Sequence, residues 1–462
     1  MGWLAGAAMG CGAGGGTPTP DAGAGADVAS ALDTGPASAL DAPGTPVDTG
    51  PVVPLDTGTV GPTDTGSAPA SAPTWAEHVA PILYQHCVSC HREGGIGPFH
   101  LLTYADSTSV GPLMRRVTAE RRMPPSVVNA SGDCQQYRPD TRWMSEAEIA
   151  TIGRWVEQGM AQGDLSRAPA VPPAPAGLTG ATVELDTGTS YTPNAQVSDD
   201  YRCFLADPRV ATDSYITGYE VLPGDAREVH HVIVYSIPSA QAQTQAEALD
   251  AMDPTPGYPC FGGARVSGAQ PLALWAPGGG PTIFPRHTGL SLGGGRKVVI
   301  QVHYNTANGV FPDRTRVRLS TARSVTAPAF LVPYRPDRVE LPPRMAEAVA
   351  SDTLDLGNLY GLPQAFVLGV APHMHNLGRT LRVDAIREGA RMCVVDVPRW
   401  DFHWQQLNFY SQPFVVRRGD QVSIRCTYDT TSRTSVTRWG EGTDDEMCLN
   451  YFYITPVRPP SH

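Results

Sequence analysis

From Leu178 onward the chain is written in short runs of β-branched and aromatic residues, each closed by a cluster of Gly, Pro or Asp. Val229–Ile237, Lys297–Tyr304, Phe366–Val370, Gln421–Tyr428 and Tyr451–Ile454 are examples. Runs of this length with these breaks fit strands, and together they predict an all-β sandwich architecture. About 280 residues of such texture is enough for two sandwiches.

Upstream the pattern changes. Ala168–Gly177 is a Pro/Ala-rich linker, and from Trp75 to near Leu165 the pattern is helical. Ser145-Glu146-Ala147-Glu148 is a capping box, followed by Ile149, Ile152, Trp155, Val156 and Met160 at helical spacing. Residues 12–73 hold Gly, Pro, Ala, Thr and Asp, with Asp-Thr-Gly at 33–35, 48–50, 56–58 and 64–66. Asp-Thr-Gly also marks aspartic proteases, but there the Asp sits on a loop braced by hydrophobic strands, and these copies sit in low-complexity sequence. The stretch reads as a disordered tether.

Residues 1–73 hold seven Asp and no Glu, Lys or Arg, against a formal net charge of −11 for the whole chain. The remaining body is only weakly acidic and lacks a basic patch, which argues against nucleic acid as a partner. The only lysine is Lys297, which leaves a single candidate for Schiff-base chemistry. No apolar run reaches the length of a membrane span. Ala8-Met9-Gly10-Cys11 resembles a bacterial lipoprotein cleavage site, although no Lys or Arg precedes it. Residues 1–11 then form a signal and Cys11 carries the lipid; the competing reading is a plain disordered tail. The lipoprotein reading implies export to the periplasm or outer surface, with the lipid as the membrane contact.

Cys87-Val88-Ser89-Cys90-His91 is Cys-x-x-Cys-His, the attachment sequence of c-type haem. Two thiols at this spacing add to the haem vinyl groups and place His91 under the iron. Met123, in Arg122-Met123-Pro124-Pro125, offers the thioether expected of a sixth ligand. A disulfide or half a zinc site is the alternative for the two cysteines, but the module holds no second Cys/His pair at zinc spacing, only Cys134. Residues 74–167 resemble the small all-α cytochrome c-like domains fused to bacterial redox enzymes, which implies one covalent haem c.

Five of the twelve histidines fall in three β contexts. His230-His231 lies in Glu228–Tyr235; adjacent residues on a flat strand face opposite ways, so one metal holds both imidazoles only at a strand end or bulge. His303 lies in Gln301-Val302-His303-Tyr304, and His373-Met374-His375 places two imidazoles at i and i+2, on one face of a strand. Imidazoles with one thioether suit copper, the thioether favouring Cu(I); catalytic zinc rarely recruits Met.

The order His-His, Gln-Val-His-Tyr, His-x-His and then Asp445-Glu446-Met447-Cys448 resembles the copper type II ascorbate-dependent monooxygenases over roughly residues 200–457. The resemblance implies two tandem jelly-roll sandwiches, at 178–322 and 323–457, facing each other across an open, water-filled cleft. It implies an electron-transfer copper on His230, His231 and His303, and an oxygen-binding copper on His373, His375 and Met447, with ascorbate as a reductant. It also implies disulfides Cys426–Cys448 and Cys203–Cys260. Cys134 and Cys393 are left over, either to pair across the modules or to stay free.

Ala371 stands where peptide-amidating members carry Arg, and Leu449 follows Cys448 where they carry Asn, so a peptide carboxylate is a poor candidate substrate. His403 has either a substrate-side or a merely structural role. Two functions follow. One is a monooxygenase that hydroxylates an aliphatic or benzylic C–H of a small molecule with O₂, fed by the haem, by ascorbate or by a redox partner protein. The other is a non-catalytic haem/copper electron-transfer or copper-binding lipoprotein.

Overall fold

The computed structural model describes residues 72–460 apart from 140, 141, 337, 356–362 and 443. Cys11, the signal-like segment and the tether up to residue 71 lie outside the described residues. No described helix is long and apolar enough to cross a membrane.

The helical part comes first. A π-helical turn, Trp75–Val79, runs into the Ala80–His86 helix, followed by helices Tyr104–Ser109, Gly111–Ala119 and Glu146–Glu157. Ser145 Oγ accepts the Glu148 amide at 3.2 Å and Glu148 Oε2 accepts the Ser145 amide at 2.7 Å, so the capping box closes the last helix start. Ile152 and Trp155 on its inner face are fully buried in one cluster with Trp75, Val79 and Leu83.

After Leu178 the chain is mostly β-sheet, as its texture predicts. Among the described residues, a five-stranded sheet runs in the order Tyr258–Pro259, Asp199–Ala206, Val298–Asn305, Val229–Ser236, Pro271–Trp275. A four-stranded sheet holds Ala348–Asp355, Gln421–Tyr428, Gly378–Arg387 and Ala390–Val397. Between them, one nine-stranded sheet serves both halves. It begins with Val183–Asp186, Arg316–Ala322, Ser214–Leu222 and Thr288–Leu292, and continues through Ala327–Tyr334, Leu449–Thr455, Gln364–His373 and Asn408–Arg417, with the ninth strand, Thr282–Ile283, paired to Ser214–Leu222 off this path. The join is a parallel pairing, Ala327 opposite Thr288 through Ala329 opposite Leu290.

The Gln364–His373 strand shows why the halves are inseparable. Side chains alternate across a strand, and here both faces are covered: Ala365 and Val367 pack into the core of the C-terminal half, Phe366 and Leu368 into that of the N-terminal half. A strand buried on both faces reads as a continuous apolar run, which Ala365–Ala371 is.

Three disulfides lock the fold: Cys203–Cys260, Cys426–Cys448 and Cys134–Cys393. The last settles the pair left open by the sequence, and it joins the segment after the Met123 turn to the C-terminal half. That segment lies along the sandwich as a strap. Val127 and Val128 enter its core, Asn129 N–H donates to Asp396 O at 2.8 Å, and Arg138 N–H donates to Phe409 O at 2.9 Å.

Candidate metal centres

The first cluster sits on the middle of the five-stranded sheet. His303 is opposite His231 in register, and the pairing slips between Val229 and His231. This bulge breaks the pleat and lets adjacent His230 and His231 reach one point. The His230 and His303 Nδ1 atoms are 3.2 Å apart, those of His303 and His231 3.3 Å, and one ring nitrogen from each lies within 4.8 Å of the others. His303 Nε2–H donates to Asp199 Oδ1 at 2.8 Å, which leaves its Nδ1 lone pair facing the other two rings. Tyr201 stacks on the His303 ring at 4.0 Å. Burial pushes the pKa of all three imidazoles down, so they stay neutral, as metal ligands must be.

The second cluster differs from the two-on-a-strand geometry expected. His373 is the last residue of its strand, and His375 sits in the turn before Gly378, with ring centroids 5.2 Å apart. His373 Nδ1–H donates to Gln405 Oε1 at 2.5 Å, and Gln405 Nε2 donates to Phe402 O at 2.7 Å, the carbonyl that sets the amide's orientation. His375 Nδ1–H donates to Asp445 O at 3.1 Å. Both rings therefore keep Nε2 for a metal, the opposite nitrogen from the first cluster. Burial lowers the His373 pKa to about 4 and that of His375 to about 3.

The His375 turn is held by a residue the motif contained but sequence reasoning did not use. Glu446 is fully buried; its Oε2 accepts the His375 and Met447 amides at 2.9 and 3.2 Å, and its Oε1 accepts the Leu377 amide at 2.6 Å. Tyr428 donates to Met447 O at 2.8 Å, and Cys448 beside it is bridged to Cys426. Met447 is thus buried and pinned from three directions.

The clusters adjoin. Phe402 stacks on His230 at 4.5 Å and meets the His375 ring edge-on at 5.8 Å. Phe402 thus touches one ring of each cluster, while His403 on the same turn points out to solvent beside Asp401. A cavity of about 270 Å³ is lined by His231 from the first cluster and by His373 and Met447 from the second.

The comparisons with known proteins follow this division. The family models for the N-terminal and C-terminal domains of copper type II ascorbate-dependent monooxygenase match residues 188–310 and 338–458. The chain belongs to that family. It is 28% identical to a tyramine beta-hydroxylase of Caenorhabditis briggsae over 267 residues, 54% of this chain and 42% of that protein. It is 26% identical to dopamine beta-hydroxylase of Rattus norvegicus over 282 residues, 55% of this chain and 43% of that protein. A third relative, the human DBH-like monooxygenase protein 1, is 25% identical over 254 residues, covering 49% and 39%. The chain thus spans less than half the length of these relatives.

Asp199, Gln405 and Phe402 escaped the sequence reading of this monooxygenase-family chain. Asp199 is 104 residues from the histidine it orients, and Gln405 is 32 from its own, so no local pattern links them.

Outside the family-matched domains, the Cys-x-x-Cys-His residues occupy a tight loop after the Ala80–His86 helix. Cys87 is buried, with its thiol pushed up to about 12 chiefly by burial, and Cys90 is half-buried; both are unpaired. His91 Nδ1–H donates to Phe99 O at 3.0 Å. Gly95 and Gly97 fold back on the motif so closely that a Cβ at Gly95 would fall 2.2 Å from Cys90 O. Met123 lines a small cleft with Arg121, Arg142 and Trp143.

Proposed function

We propose that the chain is a copper-dependent monooxygenase that hydroxylates an aliphatic or benzylic C–H of a small molecule with O₂. The observation that carries this is the shared cavity: one donor from the three-histidine set and two from the His373–His375–Met447 set open on the same space. Both sets fit copper. Three Nδ1 lone pairs converge in the first, and two free Nε2 atoms with a buried thioether near them make a softer second set. Bound copper would supply one-electron chemistry with O₂ and the oxidant for the C–H bond.

The chain's own residues do the rest. Asp199, Gln405 and the Asp445 carbonyl hold protons on the ring nitrogens that face away from the metal, fixing the tautomers. Phe402 packs against one ring of each cluster and holds both in place. Trp275, Trp439, Leu449 and Tyr451 give the cavity apolar and aromatic walls, with room for one small molecule. Glu441 and Arg335 are the charged groups on that wall, ready to orient a polar end of the substrate.

Electrons are proposed to enter through a c-type haem on Cys87, Cys90 and His91 with Met123, through ascorbate, or through both, with a redox partner protein as donor. The donors of the Cys-x-x-Cys-His loop support this reading. The His91 bond to Phe99 O leaves Nε2 for iron, and Cys87 and Cys90 are the unpaired cysteines among the described residues while six others form disulfides. Haem iron would supply single electrons. Disulfides and haem attachment both support an exported, periplasmic or outer-surface setting, with Cys11 as lipid anchor.

The deciding experiment measures O₂ consumption by purified protein with two copper equivalents and ascorbate, across small aromatic and aliphatic substrates. Substrate-coupled O₂ uptake with hydroxylated product is expected. Reversible copper reduction with no substrate-dependent O₂ uptake would establish the electron-transfer reading instead.

A further inference from the structure

A second, larger cavity of about 1030 Å³ lies between the Cys-x-x-Cys-His loop and both sandwiches. Among the described residues its charged wall is basic: Arg92, Arg142, Arg227 and Arg316 stand against one carboxylate, Glu93. Arg227 and Arg316 are paired with Asp225 and Glu184. Arg92 donates to the carbonyls of Pro172 and Pro173, and half-buried Arg142 to Gly278 O at 3.3 Å, so neither has a carboxylate partner among the described residues. Arg142, Gln405 and Gln406 also line a small adjoining cleft together, which places the guanidinium at the glutamine end of the large cavity. Gln405 Nε2 donates to Phe402 O and Gln406 Nε2 to Asn408 Oδ1 at 3.0 Å, and each amide nitrogen keeps a second N–H. A cation without a carboxylate partner, set beside amide N–H groups, is a place for a small polar anion.

That corner reaches the metal centres through one side chain. Gln405 also lines the smaller cavity, and its Oε1 accepts His373 Nδ1–H at 2.5 Å. The carbonyl that accepts its Nε2–H belongs to Phe402, whose ring stacks on His230. Resting on the ascorbate-fed monooxygenase reading above, we infer that the Arg142–Gln405–Gln406 corner binds the reductant, an enediol acid that is a monoanion at neutral pH, and that its electrons enter through Gln405 to the His373 centre. Each ascorbate monoanion held there gives one electron to a bound Cu(II) and its remaining enolic proton to solvent, leaving a monodehydroascorbate radical anion; a second ascorbate supplies the second electron. The reductant then need not share the substrate's space, because Gln405, Gln406, Leu274 and Trp275 form a wall common to the two cavities. Arg142 lies outside the family-matched residues 188–310 and 338–458, so the helical module adds this site to the family's domains. The cavity is larger than one ascorbate, and the polar corner, rather than the shape of the whole space, sets where it sits.

Two anaerobic measurements on the full chain test this. Equilibrium dialysis reads ascorbate binding to the metal-free protein, and stopped-flow mixing reads the rate at which the copper-loaded protein loses its Cu(II) signal. Arg142→Gln should weaken ascorbate binding about 10-fold and slow reduction by ascorbate as much. It should leave reduction by hexaammineruthenium(II) unchanged, because a cationic reductant gains nothing from a guanidinium. Arg142→Lys should restore most of both losses. Gln406→Glu keeps the side-chain size but sets a carboxylate in the corner, and it should weaken ascorbate binding in the same way. Wild-type ascorbate binding and reduction in Arg142→Gln and Gln406→Glu would overturn the site while leaving the monooxygenase reading standing. Equal slowing with both reductants would make Arg142 a structural residue and also overturn the site. Copper in the wild-type chain that is reduced by hexaammineruthenium(II) but not by ascorbate would overturn ascorbate as the donor, and the site with it.

Discussion

Glu446 offers the sharpest test of how the second centre is built. Its carboxylate accepts three backbone N–H groups, those of His375, Leu377 and Met447, and no solvent reaches it. Glu446→Gln preserves the shape but replaces one oxygen with a donor. With its NH₂ turned toward Leu377, the side chain loses one bond and faces one backbone donor; turned the other way, it loses two and faces two. The cheaper arrangement forfeits one charge-assisted bond and weakens two, about 3–4 kcal/mol in all. Burial already opposes the carboxylate, pushing its pKa up to about 7, and removing that charge returns part of the loss. A net destabilisation of about 2 kcal/mol is therefore expected.

The local consequence is larger than the global one, because two of the three amides belong to the proposed copper ligands His375 and Met447. Loosening residues that orient ligands lowers metal affinity about 10–100-fold. Copper titration against a chelator should show this loss at the second centre only, with the His230, His231 and His303 centre binding as in the wild-type chain. Denaturant unfolding of the metal-free protein measures the stability term separately. Full second-site affinity alongside the expected destabilisation would refute the ligand-positioning argument and leave Glu446 a purely structural residue. Equal weakening of both centres would refute the separation of the sites.

Three further outcomes follow from the same geometry. Met447→Leu is close to volume-conserving in a residue already pinned by Cys426–Cys448, so it should cost under about 1.5 kcal/mol while substrate-coupled O₂ uptake collapses; intact uptake would count against the proposed thioether ligand. His231→Ala should abolish multi-turnover oxygenation and lower copper stoichiometry by one, leaving the second centre loaded, as electron paramagnetic resonance would report. Cys134→Ser with Cys393→Ser removes a bridge of sequence separation 259 and should destabilise by about 2–5 kcal/mol, read from denaturant unfolding; a change near zero would mean that the strap of residues 127–138 docks without it.

What the sequence reveals and what it hides divide along the range of the interactions. The strand texture of Val229–Ile237 or Gln421–Tyr428 and the Ser145–Glu148 box are local patterns, and each reappears as an element of the fold. The shared middle sheet does not announce itself locally. The apolar run around Phe366–Val370 reads as a buried strand, but only the pairing of Ala327–Ala329 with Thr288–Leu290 shows that it is buried between two cores. The sites divide the same way. Adjacent His230 and His231 posed a geometric demand that the sequence states and a bulge answers, whereas His-x-His suggested a flat strand that in fact ends at His373.

That ending has a cause. Glu446 draws in the amides of His375 and Leu377, and Trp400 Nε1 donates to His375 O at 3.0 Å, so the backbone after His373 bonds inward to side chains rather than to a neighbouring strand. The turn then presents His375 to the Asp445 carbonyl, while His373 is left to Gln405. Every partner that fixes a ring nitrogen is thus distant in sequence from the ring it fixes. A motif can therefore name the ligands, but only the packed sheets decide which nitrogen each one offers: Nδ1 converging in the first set and Nε2 left free in the second.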